Sequence, residues 1–459
     1  MERRAAFHRH PSQCRFPGHR KDNDGSGFKS RTTQSIMKSK SLISWFATLA
    51  ALCAATSLSA ADAGLAATAT NETGVDLYRK LATGDGNLCL SPYSIENALA
   101  MTFAGADGKT REEMARVLHF STNDDAVHGS FGALQQQLEE MAAKSAKQIA
   151  DAKERGGPQQ PIVITIANRL FAQKGYEFRE KFLALVKERY GAPLEPLDFS
   201  RDAARATQRI NSWVEEQTRN RIRDLIPPGA LDASTRLALV NAIYLKAPWA
   251  KPFTKGSTSP QPFHVRGGES VNVPTMHGFS YCGYAKRDGF TAVTLPYNDR
   301  ELQFVILLPD DAKGLSALEK KLTAPMLAEC AKLQMQELNL HLPKFKFEPP
   351  TMNLGAALQG LGMQTAFDQP HGSANFDRLA PRKPDDYLCI SAVFHKTFIA
   401  VDEEGTEAAA ATAVAMAVGA AAGQKPEPLE VKIDRPFLYA IQHVPSGACL
   451  FIGRVTDPR

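Results

Sequence analysis

Hydrophobic spacing divides the chain into a helical first half and a strand-rich second half. Ser91-Pro92 opens a helix that the pattern carries through Phe103, and Lys109–Leu118 reads as another after an Ala-Gly-Ala-Asp-Gly break. Phe131–Lys153 is long and amphipathic and is stopped by Arg155-Gly-Gly-Pro158. β-Branched Ile162–Ala167 reads as a strand and Phe178–Tyr190 as a helix. Over Ala203–Ile226, the residues Ile210, Trp213, Val214, Ile222 and Leu225 share one helical stripe, which Pro227-Pro228-Gly229 ends. Leu237–Leu245 and Leu302–Leu308 are nearly unbroken apolar runs, as expected of strands buried on both faces. Leu338, Leu340 and Leu342 alternate with Asn339 and His341, and Phe345 and Phe347 with Lys344 and Lys346, as in half-buried strands. Val393–Val401, Val431–Ile433, Phe437–Ile441 and Cys449–Val455 complete the strands. Helices followed by strands predict an α+β domain with a mainly antiparallel sheet.

The N-terminus does not share this periodicity. Residues 1–36 are rich in Arg, His, Ser and Gly. Met37-Lys38-Ser39-Lys40 then precedes an uncharged run from Ser41 to Ala61. A short basic start, an apolar stretch and small residues after it predict a secretory signal peptide over 37–61, cut after Ala61 or Ala63. Residues 1–36 are then a leader outside the fold, and 62–459 form one domain, with no Pro/Gly/Ser linker and no internal repeat. Five of the seven cysteines, Cys89, Cys282, Cys330, Cys389 and Cys449, fall in the mature chain. The odd number and the lack of a C-x-x-C pair predict mostly buried, unpaired thiols. Asn71-Glu72-Thr73 is a glycosylation sequon.

Charge removes one class of partner. The net charge of the whole chain is +5, but residues 1–40 hold ten Lys/Arg against three Asp/Glu, so the remainder carries −2. A nucleic-acid partner would need a basic face on the domain itself, and none is expected; nor is a stable membrane association once the signal peptide is removed. No H-E-x-x-H, G-x-S-x-G or G-x-G-x-x-G is present. Gly105–Thr110 resembles a phosphate loop, but Phe103 stands where the motif needs its first glycine, so the segment reads as a turn into a helix. The histidines lack metal-ligand spacing. No metal, no cofactor and no enzymatic activity are expected.

One segment breaks the pattern. From Ala408 to Ala422, ten of fifteen residues are Ala and none is charged. The stretch joins two predicted strands, and a connection of this length with no element of its own is usually functional. With its surroundings it resembles the serpin family. Glu403-Glu404-Gly405-Thr406-Glu407-Ala408-Ala409-Ala410-Ala411-Thr412 is similar to the hinge of an inhibitory serpin. Arg435-Pro436-Phe437-Leu438-Tyr439 and Leu450-Phe451-Ile452-Gly453-Arg454-Val455 resemble the closing strands. Asn211-Ser-Trp213-Val214, Leu239-Val-Asn241-Ala-Ile-Tyr-Leu-Lys246 and Asn87-Leu-Cys-Leu-Ser91-Pro92-Tyr-Ser94-Ile95 match upstream. The resemblance covers about residues 71–459. It implies a single domain of three β-sheets and eight or nine helices, with an exposed reactive loop over 403–430.

The resemblance also implies a mechanism. A target serine protease attacks the loop, forms an acyl-enzyme, and is trapped in a covalent complex when the cut loop inserts as a new strand in the central sheet; serpin loop insertion is one of the standard cases of such switching. An inserting strand buries every second side chain. Counted from Thr406, that face is Thr406, Ala408, Ala410, Thr412, Val414 and Met416, all uncharged, while Glu407 falls on the other face and is expected toward solvent. The resemblance places Ser91, Ser94, Asn241 and His395 in a polar cluster beneath the sheet and Trp249 at its top; read alone, His395 is a core histidine with its hydrogen bonds satisfied. Family spacing makes Gly419-Ala420 the reactive bond, with neighbours Met416, Ala417 and Val418, which suits elastase-like or subtilisin-like proteases. Alignment from the C-terminal side makes Lys425 the determinant instead, but Pro426 follows it and opposes trypsin-like cleavage. The expected protein is a secreted or periplasmic monomer in the extracellular space that inhibits a protease. The alternatives are a non-inhibitory relative, acting as substrate or ligand carrier, and a cross-class inhibitor of papain-like cysteine proteases.

Overall fold

Ser91 caps the helix around which the domain is assembled. Its side chain accepts from Ser94 N, Pro92 occupies the first turn, where no N–H is needed, and the helix runs Pro92–Phe103. Eleven of its twelve residues are buried, as in a helix covered on every side. The computed structural model describes residues 63–153, 160–265, 268–383, 386–407 and 428–459, all within one unit from Ala54 to Arg459. The leader and the signal peptide lie outside the described residues. So do Ala408, Ala409, Ala410, Ala411 and Thr412 of the hinge, the reactive-bond residues Met416, Ala417, Val418, Gly419 and Ala420, and Lys425.

Among the described residues there are nine α-helices: 63–81, Pro92–Phe103, Gly108–Val117, Asp124–Lys153, Glu180–Tyr190, Phe199–Gln217, Leu315–Lys321, Ala324–Cys330 and Gly355–Leu361. None is long and apolar enough to cross a membrane. The helix expected over Ala203–Ile226 starts at Phe199 and stops at Gln217. Beyond it, Arg219, Asn220 and Asp224 take positive φ. Ile222, Leu225 and Ile226 still reach the core, but from an irregular segment. An apolar stripe reports burial, which a tight turn also achieves. Asn71, in the first helix, is buried. Its Nδ2 donates to Gly447 O at 2.9 Å and its Oδ1 accepts from Cys449 N at 2.8 Å, so the sequon is a tie to the C-terminal hairpin and not an accessible acceptor.

Among the described residues the strands form three sheets of nine, six and two strands. The nine-stranded sheet holds the fully buried strands Leu302–Pro309, Phe437–His443 and Cys449–Val455 side by side. The 18-residue strand Ser270–Arg287 links its two halves, and Leu429–Lys432, the first element after the loop, lies parallel to Met335–Pro343 at one edge. The six-stranded central sheet has the order Phe345–Phe347, Ile399–Val401, Gly405–Thr406, Leu237–Pro248, Val163–Gln173, Leu194–Leu197. One expected strand differs. Val393–Val401 is broken into Phe394–His395, which pairs with Met352–Asn353, and Ile399–Val401. Its alternation is intact, with 395, 397, 399 and 401 buried, but among the described residues no strand pairs with one side of it below Ile399. Among the described residues, Cys89, Cys282, Cys330, Cys389 and Cys449 are free, and Cys389 alone of them is exposed.

Candidate functional site

The chain leaves strand Ile399–Val401, turns at Asp402-Glu403-Glu404, and returns as the two-residue strand Gly405–Thr406. That strand is antiparallel to both neighbours, with Val401 opposite Thr406, Ala247 opposite Thr406 and Pro248 opposite Gly405. Gly405 and Thr406 are therefore already seated in the central sheet. Asp402 Oδ1 closes the turn by accepting from the N–H groups of Glu404 at 2.9 Å and Gly405 at 3.3 Å. A Cβ on Gly405 would stand 2.1 Å from Ala247 O and 2.7 Å from Pro248 Cα, so only glycine permits this approach. Thr406 is buried, its Oγ1 2.5 Å from Tyr297 Oη. Tyr297 stacks on Trp249 at 4.7 Å between ring centroids, and Trp249 Nε1 donates to Asp402 O at 2.9 Å. The tryptophan expected at the top of the sheet thus clasps the turn and, through Tyr297, the hinge.

Two carboxylates anchor the turn, and a third is held just past the strand. Glu403 accepts from Lys344 Nζ at 2.7 and 3.0 Å and from Thr258 Oγ1 at 2.7 Å. Burial opposes its charge, yet the hydrogen bonds from Lys344 and Thr258 keep its carboxyl below the usual range. Removing the lysine leaves a buried, unpaired carboxylate. Lys344→Met is expected to lower stability by about 2 kcal/mol, discounted because Lys344 is partly exposed, and Lys344→Arg by much less, as thermal unfolding would show. Glu404 pairs with Lys255 at 3.3 Å. Glu407 corrects an expectation. It falls on the outer face, as alternation requires, but its side chain is only 11% exposed, because Arg221 covers it at 2.6 Å.

Below the hinge the sheet is open. A cavity of about 420 Å³ lies between residues 237–242 on one side and 386–396 on the other, floored by Ser94, Ile95, Leu99 and Thr102 of the Pro92–Phe103 helix. Ser91, Ser94, Asn241 and His395 are joined by hydrogen bonds at or beside this floor. Ser94 Oγ donates to Asn241 Oδ1, and Asn241 Nδ2 donates to Asn168 Oδ1 at 2.5 Å. Asn168 in turn donates to Tyr190 O at 2.9 Å. Ser91 Oγ donates to Leu450 O at 2.7 Å, and Ser91 N–H donates to His395 Nε2 at 3.1 Å. His395 Nε2 is thus occupied as an acceptor, and burial pulls its pKa down to about 4. Neither serine hydroxyl is bonded to the imidazole, so the cluster ties helix to sheet and is not a nucleophile–base pair.

An open central sheet with a loop-hinge strand started in it narrows the choice of family, and comparison with known proteins decides it. Residues 68–458 match the family model described as serpin, serine protease inhibitor. The chain belongs to the serpin family. It is 38% identical over 394 residues to an uncharacterised serpin-like protein of Thermococcus kodakarensis, covering 85% of each chain. It is 37% identical over 396 residues to a leukocyte elastase inhibitor of Sus scrofa, covering 84% of this chain and 97% of that one. Among solved structures, the loop-inserted form of a cleaved ovalbumin mutant superposes with a TM-score of 0.72 at 27% identity, over 86% of this serpin and all of that chain. The serpin fold, mixed α+β with nine helices and three sheets, agrees with the sequence reading. That reading missed Tyr297, Lys344, Asn168 and Arg221. They come from four separate segments, and no local pattern marks them as neighbours of the hinge.

Proposed function

We propose that this serpin is a suicide inhibitor of a serine protease of the elastase-like or subtilisin-like type. The protease cuts the reactive loop at or near Gly419-Ala420, and the loop then becomes the missing strand of the central sheet. The observation that carries this reading is the seated hinge above the open slot. Gly405 and Thr406 have begun a strand whose register can be continued downward. In that register residues 411–416 would run between 237–242 and 391–396, the two walls of the cavity. The inward face would then be Ala408, Ala410, Thr412, Val414 and Met416. Thr412, the only hydroxyl among them, would fall between Asn241 and His395, the polar floor. Ala408 would face Leu245 and Ile399, and Val414 would face Leu239 and Val393, so at these levels apolar residues meet apolar walls, as Thr412 meets the polar floor. The small residues around the proposed bond fit the name of the relative that inhibits leukocyte elastase.

The protein acts, in this reading, as a secreted or periplasmic monomer, exported by the 37–61 signal peptide, with the protease as its covalent partner. Incubation with elastase, subtilisin, trypsin and papain is expected to give, with one of the first two, a band at the summed mass that survives denaturation. The released C-terminal peptide should be Ala420–Arg459, 40 residues, and not Pro426–Arg459, 34 residues. A complex with papain alone would move the target to cysteine proteases. Cleavage by all four without any complex would leave the loop a mere substrate and sink the inhibitory reading.

A further inference from the structure

The mouth of the slot is spanned by an ion pair that strand insertion has to disturb. Arg221 lies in the tight turn after the Phe199–Gln217 helix. Arg221 N–H is bonded to Thr218 O at 3.0 Å, and Thr218 Oγ1 accepts from Ile222 N at 3.1 Å, so its place is set by the fold. Arg221 Nε donates to Glu407 Oε1 at 2.6 Å, and Tyr244 Oη donates to the same oxygen at 3.2 Å. The guanidinium also lies 5.2 Å from the centre of the Phe398 ring, within cation–π range. Tyr244 and Phe398 belong to the two opposite walls. Continuing the observed register, both stand at the level that residue 409 would take on insertion, with their side chains on the outer face. The carboxylate of Glu407 therefore reaches down past its own level and meets Arg221 over the next seat in the slot. Glu407 does so from a left-handed backbone, φ 47°, which is costly for a residue with a Cβ. A continuing strand needs that residue extended. The first step of insertion must then turn Glu407 and draw its carboxylate away from Arg221 and Tyr244.

We infer that Arg221 is a positioning residue that bars the slot against spontaneous insertion of the uncut loop, by holding Glu407 across the walls Tyr244 and Phe398. The inference rests on the reading of the loop as the missing strand. An interaction present before a barrier and lost at its crest slows the crossing. The clasp weighs most when the loop is uncut and the drive to insert is least, so it keeps the loop available to a protease.

The test needs no protease–inhibitor complex. The whole protein, and its Arg221→Gln and Glu407→Gln variants, are held just below the unfolding transition. Conversion to the inserted form is followed by native-gel mobility and by the rise in thermal stability. Arg221→Gln is expected to convert about five- to tenfold faster, the weight of one partly exposed, hydrogen-bonded ion pair. Glu407→Gln should match it, and the double variant should be no faster than either, since all three remove one pair. Phe398→Leu, which keeps every charge, should convert faster by a smaller factor and serves if the arginine variant does not fold. Conversion of Arg221→Gln at or below the parent rate overturns the clasp. A sample nicked in the loop by subtilisin separates the two readings. If nicking raises thermal stability and the variants do not differ, the clasp alone is wrong; if nicking raises nothing, the insertion reading fails with it.

Discussion

Thr406→Arg is expected to turn the inhibitor into a substrate. The threonine side chain is enclosed between Ala247 and Val401, and its hydroxyl meets Tyr297. An arginine there would bury a charge where a neutral hydroxyl now meets Tyr297, and would strip the buried tyrosine hydroxyl of its partner. Burying an unpaired ion costs several kcal/mol even after relaxation, and the orphaned hydroxyl adds about 1–3 kcal/mol. If only about 3 kcal/mol of this falls on the step that seats the hinge, insertion slows by roughly a hundredfold. Hydrolysis of the acyl-enzyme then wins. The number of inhibitor molecules consumed per protease should climb by a similar factor, while the rate of loop cleavage changes little, because the proposed cut at Gly419 is thirteen residues away in sequence. Thr406→Val, which loses only the hydrogen bond, should raise consumption by less than about tenfold. A titration of protease against each variant measures this. Covalent complex at the parent stoichiometry with arginine at 406 would rule out insertion of this face.

Acid is expected to weaken the fold well above the pH at which carboxylates titrate. Burial holds His128, His395 and His443 down to about 4 each, against about 6.5 in an unfolded chain. Above pH 6.5 both states are neutral and nothing is lost. As pH falls from 6.5 toward 4, the unfolded chain binds protons that the folded chain refuses, so stability falls with pH through that window. Each histidine can contribute on the order of 3 kcal/mol by pH 4. Glu96, fully buried, has its pKa raised by desolvation and works in the opposite sense, since its folded form gains from protonation as pH drops. It offsets part of the histidines' loss. Urea unfolding between pH 7.5 and 4.5 would show the slope, and a flat profile would contradict it. His395 adds a local effect, because a protonated Nε2 can no longer accept from Ser91 N–H, and the tie between helix and sheet is lost. A His395→Gln variant should show a shallower slope over the same range.

Much of this was legible in the sequence, for physical reasons that also explain the misses. Ser91-Pro92 announced a helix because a cap and a fixed φ act locally. The run Leu237–Leu245 announced a buried strand because both its faces are covered. The burial of Thr406 was legible because a strand has a strict period of two. The break below Ile399 was not, because alternation shows which way a side chain points and not whether the backbone beside it has a partner. The burial of Glu407 was not legible either. Alternation put it on the outer face, but its cover comes from Arg221, nearly two hundred residues earlier, in a segment whose apolar stripe resembled a helix. Lys344 and Tyr297 are likewise long-range partners, visible only once the strands are in place.

The tie between Asn71 and the C-terminal hairpin, and the pairing of Leu88–Leu90 with Cys449–Val455, set a clock on how the molecule is made. The strand that sits against the first residues of the fold is the last to be synthesised. At about 5–20 residues per second, tens of seconds separate the emergence of Leu90 from that of Val455. Throughout that time the edges awaiting Cys449–Val455 stay open, and the loop emerges before they close. The closing strands therefore complete the fold, and a chain broken off before Cys449 would carry its reactive segment with no finished body to hold it.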